Sequence, residues 1–502
     1  MTNVQEAARR PRGAGTGEQR PAGEGDDTHS TSGIGLGLLV AAALGIGLVS
    51  LLFPSTPSYD PWSWLIWGRE IMHLDLVTRG GPSWKPLPVL FTAPFSIAGA
   101  DAAPLLWLAV ARAGAVMALM MAFKLAWRLA GRGAAGQLAG LVASLGILGM
   151  TGWLRAAATG NSEGLLIAFV LIAIDRHLDD RRDHAFLFLV GAALLRPEVW
   201  PFLGLYGLAL WLWQPGRRAL RAIGGGCVLA LWFLPELWGS GRIFRSAERA
   251  RDPLEHSIAF AEQPAIEVLR LAGELPAAPL LVGAIVAFTT AVFTARRASE
   301  QMAVLGVCLA GCAWVGLIMA MTEAGYSGNP RYLMLAGAFI CVLGGVGLAR
   351  LAQGVTWGVA RAGVPAWLAA AGATVVVAVA LALSWPSVES RARDLTRVVG
   401  ALRAHAESNS ELAPLVEDLG GRTAVLRCGR PTSGRFQRPI MAWTLGVHAR
   451  HVAFELTPGA PGLVFRSRTQ RRPDPRLLPR RYRSIARRDS WEVSSARCAR
   501  PR

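Results

Sequence analysis

The sequence predicts an all-α polytopic membrane protein carrying a small α/β domain at its C-terminal end. Three observations carry this. Hydrophobic residues fill 52% of the 502 positions, too large a share in too many long stretches for a soluble enzyme. The apolar residues gather into segments of about 20, the length that crosses a hydrocarbon core of roughly 30 Å. Beyond Trp385 the pattern changes to a polar segment with 23 arginines against 10 acidic residues.

The net charge of +18 invites a nucleic-acid reading, but the apolar runs leave little polar chain for a groove-reading module. No zinc-finger or RNP-like pattern occurs. Most of the excess charge sits in the C-terminal segment, where it can meet anionic lipid headgroups or an anionic glycan. Lysine occurs twice, at Lys85 and Lys124, among 52 basic residues; so strong an arginine bias reflects genomic composition more than function.

Along the chain, residues 1–32 lack apolar periodicity and read as a disordered cytoplasmic tail. A transmembrane region, 33–385, follows. Its first span covers 32–53, and the loop 54–102 then brings together Tyr59, Asp60, Trp62, Trp64, Trp67, Arg69, Glu70 and His73. Tryptophan and tyrosine collect at membrane interfaces, and the spacing from Trp62 to Leu76 predicts an interfacial helix lying on the bilayer. Further spans are predicted at 103–129, 134–153 and 160–177. The segment 185–214 is interrupted by Arg196-Pro197-Glu198, and a charged pair facing lipid would be costly, so two short helices form a hairpin there. Spans at 218–238, 275–296, 301–322, 331–351 and 365–385 bring the crossings to about eleven.

Eleven crossings from an inside start place residues 386–502 outside the cytoplasm, on the face of Asp60; long loops escape the positive-inside bias. Four cysteines, Cys227, Cys308, Cys312 and Cys341, lie within apolar runs, whereas Cys428 and Cys498 lie in the polar segment. The last two are free to pair, a pairing that requires an oxidising compartment. Within the tail, 387–409 reads as helix, and Thr423–Arg427, His451–Leu456 and Gly462–Phe465 read as short strands.

This topology collects Asp60, Glu70, Lys85, Arg155, Asn161, Glu163, Arg196, Glu198, Glu323, Asn329 and Arg331 at one membrane surface. A site acting on a lipid-linked phosphate needs a base for the acceptor hydroxyl and cations for the leaving phosphate, and this set contains both. Each residue also has a plainer role. Asp60 can cap the interfacial helix and Glu163 its own span. Lys85 and Arg331 can anchor to headgroups, and Arg196 with Glu198 can lock the hairpin. His448 and His451 have no matching ligand pattern.

Five motifs, in order, resemble the GT-C superfamily of membrane glycosyltransferases. They are Tyr59-Asp60-Pro61, Trp84-Lys85-Pro86-Leu87-Pro88, Thr159-Gly160-Asn161-Ser162-Glu163, Leu195-Arg196-Pro197-Glu198 and Asn329-Pro330-Arg331-Tyr332. The similarity is closest to the protein O-mannosyltransferase and aminoarabinose transferase branch and spans residues 34 to 352. It implies a mannosyltransferase-like enzyme of the cell membrane using a polyprenyl-phosphate sugar donor, with Asp60 as the base. It further implies that Lys85 and Arg331 bind the donor phosphate, that Glu163 or Glu70 orients the donor or a divalent cation such as Mg or Mn, and that Arg196 and Glu198 support the site. Leu87 replaces the second proline of the family's Lys-Pro-Pro. No His or Cys cluster announces a metal. The acceptor, whether glycan, lipid or protein, is not specified.

The implied reaction is inverting displacement at the anomeric carbon, the attacking hydroxyl losing its proton to Asp60 as phosphate departs toward Lys85 and Arg331. Two other classes compete. A transporter or flippase of lipid-linked sugars predicts internal repeats and midplane charges, and no repeat is visible. A non-catalytic cell-envelope assembly protein would tolerate Asp60→Asn.

Overall fold

The computed structural model describes residues 31–294, 299–362, 365–456, 461–468, 478, 481–496 and 498. All but the last two residues of the expected tail, 1–32, lie outside the described residues. Sixteen helices build the membrane part: α1 (Thr31–Val49), α2 (Tyr59–Met72), α3 (Pro86–Phe95), α4 (Ala102–Leu129), α5 (Ala134–Leu148), α6 (Trp153–Ala158), α7 (Glu163–Leu178), α8 (Arg182–Ala193), α9 (Trp200–Trp213), α10 (Arg218–Ser240), α11 (Arg245–Ala250), α12 (Pro264–Glu274), α13 (Ala278–Thr294), α14 (Ser299–Glu323), α15 (Met334–Arg361) and α16 (Ala366–Ser410).

Each of the segments expected to span the membrane is largely helical over its described residues. Among the described residues, six helices are long and apolar enough to cross a bilayer, or seven if α12 and α13, bent by 95°, form one broken span. The count of eleven full crossings is therefore not established. Helices α5, α7, α8 and α9 have only 15, 16, 12 and 14 residues, short of the roughly 20 that a full crossing takes. The chain is nonetheless a multi-pass membrane protein.

Helix α15 forms the centre of the bundle, packed by α4, α5, α13, α14 and α16. Its close approach depends on small residues. A Cβ at Gly345 or Gly347 would collide with the backbone of Ala139 in α5 or Gly283 in α13, the small-residue packing that membrane helices use where burial alone gives no driving force. At one end of the bundle, Lys124 binds Asp175 at 2.9 Å and Arg176 binds Asp179 at 2.9 Å. The motif ending in Glu163 lies at the opposite end of α7.

Helix α2 departs from expectation. It is not an exposed interfacial helix, because Trp62, Trp64, Leu65, Ile66 and Trp67 are all buried. It packs against α3 and, on another side, against the C-terminal domain. Trp64 meets Trp107 of α4 edge-on at 5.4 Å.

Helix α16 runs unbroken through the boundary predicted at 385/386 and carries the chain to Ser410. There follow α17 (Leu412–Asp418), α18 (Gly421–Arg427), β1 (Thr432–Ser433), α19 (Arg438–Leu445), β2 (Leu463–Ser467), β3 (Arg483–Arg487) and β4 (Trp491–Ser495). The sheet order is β1-β2-β4-β3, with β1 parallel to β2 and the other pairs antiparallel. The strand expected near 462–465 is β2. The one expected at 423–427 is helix α18, and 451–456 contributes one isolated bridge, Ala453 to Thr432. Cys428 and Cys498 are disulfide-bonded, their Cα atoms 5.9 Å apart. Trp491 Nε1 donates to Ser408 O at 2.6 Å, tying the sheet to the end of α16.

Candidate active site

The site is assembled by loops that local chemistry holds together. Buried Arg112 of α4 donates to Ser50 O at the end of α1 and to Ala158 O at the end of α6. The segments 50–58 and 158–163 are thereby pinned side by side, and Ser58 N donates to Thr159 O at 3.0 Å. Gly160 has φ +75°, and a Cβ there would sit 3.1 Å from Trp107 and Leu108. The turn before α7 therefore needs glycine.

Asp60 lies in the first turn of α2, where the helix dipole favours its charge. Arg331 Nη2 donates to Asp60 Oδ2 at 3.0 Å, and its Nη1 donates to Asn161 Oδ1 at 2.8 Å. Arg331 is 29% exposed and Asp60 17%, so the pair is partly open. Asn161 is fixed from behind by its own amide, which donates to Thr159 Oγ1 at 3.0 Å.

Lys85 Nζ donates to Ser162 Oγ at 3.3 Å and stands 5.2 Å from the centre of the Trp64 ring. Burial pushes the ammonium down to about 8; Arg196 adds to this, while Glu163 and Asp60 oppose it. Beside it, Arg196 donates to Glu163 Oε1 at 2.8 Å and contacts Glu198 Oε1 at 3.4 Å, all three side chains being buried. Its guanidinium rests on the Tyr332 ring, 4.4 Å from the centroid. Glu163 Oε2 and Glu198 Oε2 are buried without a hydrogen-bond partner.

Thus Asp60, Lys85, Glu163, Arg196, Glu198 and Arg331 stand at one end of the bundle. Glu70 does not join them. Its Oε2 accepts from Val77 N at 2.9 Å and its Oε1 meets His448 Nδ1 at 2.7 Å, while His448 Nε2 meets Asp75 at 3.1 Å. Its carboxyl is pushed up by burial, against the pull of Val77 N–H and His448. Glu70 thus belongs to the seam with the C-terminal domain, where Arg69 also donates to Val447 O at 2.9 Å. Glu323 accepts from Ala265 N at 3.0 Å at the start of α12, and Arg155 is exposed.

Sequence reasoning did not assign the seats of the two cations, Trp64 under Lys85 and Tyr332 under Arg196. Tyr332 adjoins Arg331 in the motif, a nearness that was its only signal. As for a divalent cation, no group of three or more His, Cys, Asp or Glu side chains placed to hold a metal ion occurs among the described residues. Asp60 and Glu163 are each held by an arginine that a cation would have to displace. These residues do not fit a resident metal, and no step is derived through one.

No protein-family model matches the chain, and no curated protein matches it. Solved structures do. The crystal structure of ArnT from Cupriavidus metallidurans in the apo state aligns at a TM-score of 0.55 with 17% identity, covering 94% of this chain and 100% of that one. The ArnT structure from the same organism bound to undecaprenyl phosphate aligns at 0.53 with 16% identity, covering 92% and 98%. The chain therefore has the fold of ArnT.

Proposed function

We propose that this protein transfers a sugar from a polyprenyl-phosphate donor to an acceptor outside the cytoplasm, with Asp60 as the general base. The observation that carries the reading is the sharing of Arg331 between Asp60 and Asn161, beside Lys85. A base and two cations at the end of a membrane bundle suit a sugar phosphate whose lipid tail stays in the bilayer. The ArnT structure with undecaprenyl phosphate bound supports this class of donor.

In the proposed reaction the donor phosphate takes Arg331, and Lys85 meets it from the other side. Arginine suits a phosphate by its fixed charge and bidentate donors. Asp60, released from Arg331, accepts the proton of the acceptor hydroxyl as that oxygen bonds to the anomeric carbon. The bond from that carbon to phosphate oxygen breaks, and polyprenyl phosphate leaves with the electron pair. The N-terminus is cytoplasmic in this arrangement, and Asp60 and the C-terminal domain lie outside.

The test uses the full chain in nanodiscs with radiolabelled polyprenyl-phosphate sugars and a cell-envelope extract as acceptor. Label should move from the organic to the acceptor fraction. Absence of transfer from every polyprenyl donor tried would overturn the reading.

A further inference from the structure

A cavity of about 620 Å³ lies between the C-terminal domain and the loop after α2. One wall carries Arg79, Arg242, Arg245 and Arg249, and the other carries Arg435 and Arg438. The carboxylates lining it, Glu248 and Asp252, are bound by Arg242 and Arg249. Buried Glu236 binds Arg245 at 2.8 Å. Even with Glu236 included, the arginines outnumber these carboxylates two to one, so the cavity stays strongly positive.

Its arginines are pre-arranged. Arg435 and Arg438 stand 5.3 and 5.5 Å from the centre of the Phe454 ring, and Arg438 Nε donates to Ala449 O at 2.7 Å. Arg79 gives Nε to Ser240 O at 3.0 Å. Tyr59, the residue before Asp60, lines the same cavity. Its phenol is pushed up by burial and by Asp60, against Arg249, Arg438 and Arg435, which pull it down. The positive field therefore reaches the residue next to the proposed base.

We propose that this cavity is the acceptor subsite and that the acceptor is an anionic saccharide. Its carboxylate or phosphate groups meet the arginines while the hydroxyl to be glycosylated reaches Asp60. Guanidinium groups recognise such anions bidentately, and Tyr59 and Phe454 add aromatic surface to the lining. The volume falls among those of small-molecule sites, roughly 300–1,000 Å³. Two of the arginines and Phe454 belong to the domain beyond the membrane helices, so the ligand extends away from the bilayer, as a glycan does and a headgroup alone does not. The inference rests on the proposed transferase reading for the role of Asp60.

The experiment titrates the full chain, in phosphatidylcholine nanodiscs, with fluorescent oligogalacturonate and with a neutral malto-oligosaccharide of equal length. The acidic probe should bind at least tenfold more tightly, and its affinity should fall as salt rises. The double variant Arg249→Gln/Arg435→Gln should weaken it at least tenfold, and so should Arg79→Gln on its own, which guards against a fold defect in the double variant. Charge reversal by Arg393→Glu/Arg397→Glu, on the exposed flank of α16, should change it less than twofold. Equal binding of both sugars, or unchanged binding in the cavity variants, would overturn the proposal. So would full displacement of the acidic sugar by phosphatidylglycerol in the nanodisc, which would make this a headgroup site. No donor enters this assay, so its failure leaves the transferase reading standing, and absent transfer with intact binding would count against that reading alone.

Discussion

Arg331 holds Asp60 Oδ2 at 3.0 Å with one nitrogen and Asn161 Oδ1 at 2.8 Å with the other. A carboxylate oxygen bound by a guanidinium is not free to meet a hydroxyl, and an arriving phosphate competes for the same nitrogens. Donor binding and release of the base are then one event. Asp60→Asn should reduce turnover by about 10²- to 10⁴-fold, the usual weight of a general base. Donor affinity should hold or tighten, since Arg331 is freed. Single-turnover transfer and donor binding, measured separately, test this; an unchanged turnover sinks the base assignment.

Arg331→Lys keeps the charge but loses the fork that spans two partners. Donor affinity should fall about 10- to 100-fold, the loss of roughly one charge-assisted hydrogen bond of 1.5–3 kcal/mol. Equal donor affinities in the variant and the native chain would show that Arg331 serves Asp60 and Asn161 alone.

Lys85 gives the site a pH dependence whose sign is fixed. Burial lowers the ammonium to about 8, so the cation is present below that pH and is lost as pH rises through it. A phosphate stabilises the charged form, so donor binding above pH 8 must take up a proton. Donor affinity should fall by up to tenfold per pH unit above about 8. Lys85→Arg, charged throughout, should flatten that limb. A profile that is level from pH 7 to 10 in the native chain would remove Lys85 from the phosphate site.

Much of the site was legible because its residues break a strong pattern. Arg196-Pro197-Glu198 interrupts an apolar run, and a charged pair there has to turn inward, as the buried Arg196–Glu163 pair does. Asp60, Lys85 and Arg331 stand just outside apolar segments, where a charged side chain avoids lipid, and the fold brings all three to one end of the bundle. Glu70 satisfied the same criterion yet joins His448, because sidedness does not show which way a helix is rotated. The helical spacing of apolar residues in α2 predicts an interfacial helix, and the sequence does not distinguish lipid from protein as the cover. The segment 423–427 is a short apolar run, where period alone does not separate strand from helix. Strands β3 and β4, Arg-Ser-Ile-Ala-Arg and Trp-Glu-Val-Ser-Ser, carry little apolar signal although they pair as neighbours in sequence.

Glu163 and Arg196 are a buried pair, 1% and 3% exposed at the side chain. Glu163→Gln leaves the guanidinium with Glu198 at 3.4 Å as its remaining carboxylate. Removing one partner of a buried pair costs about 3–5 kcal/mol, so the variant should melt well below the native chain in detergent. Glu163→Met/Arg196→Met/Glu198→Met should recover much of that loss, because no charge of the buried trio is left uncompensated. A single variant that melts with the native chain would mean that the pair is solvated.

The Cys428–Cys498 bond closes a loop over 70 residues of sequence. Chain entropy gives such a cross-link about 4 kcal/mol of stabilisation, acting on the domain that holds Arg435, Arg438 and Phe454. Asp60, Lys85 and Arg331 lie outside that loop. Cys428→Ser/Cys498→Ser should therefore expose the segment between the two positions to protease at lower temperature and weaken binding of acidic saccharide, leaving donor affinity unchanged. Reduction of the native chain should reproduce both effects, because Cys227, Cys308, Cys312 and Cys341 carry free thiols and offer no second bond to cleave. Proteolysis and saccharide binding that stay the same with and without reductant would show that the sheet and its tie to α16, Trp491 on Ser408, hold the domain without the cross-link.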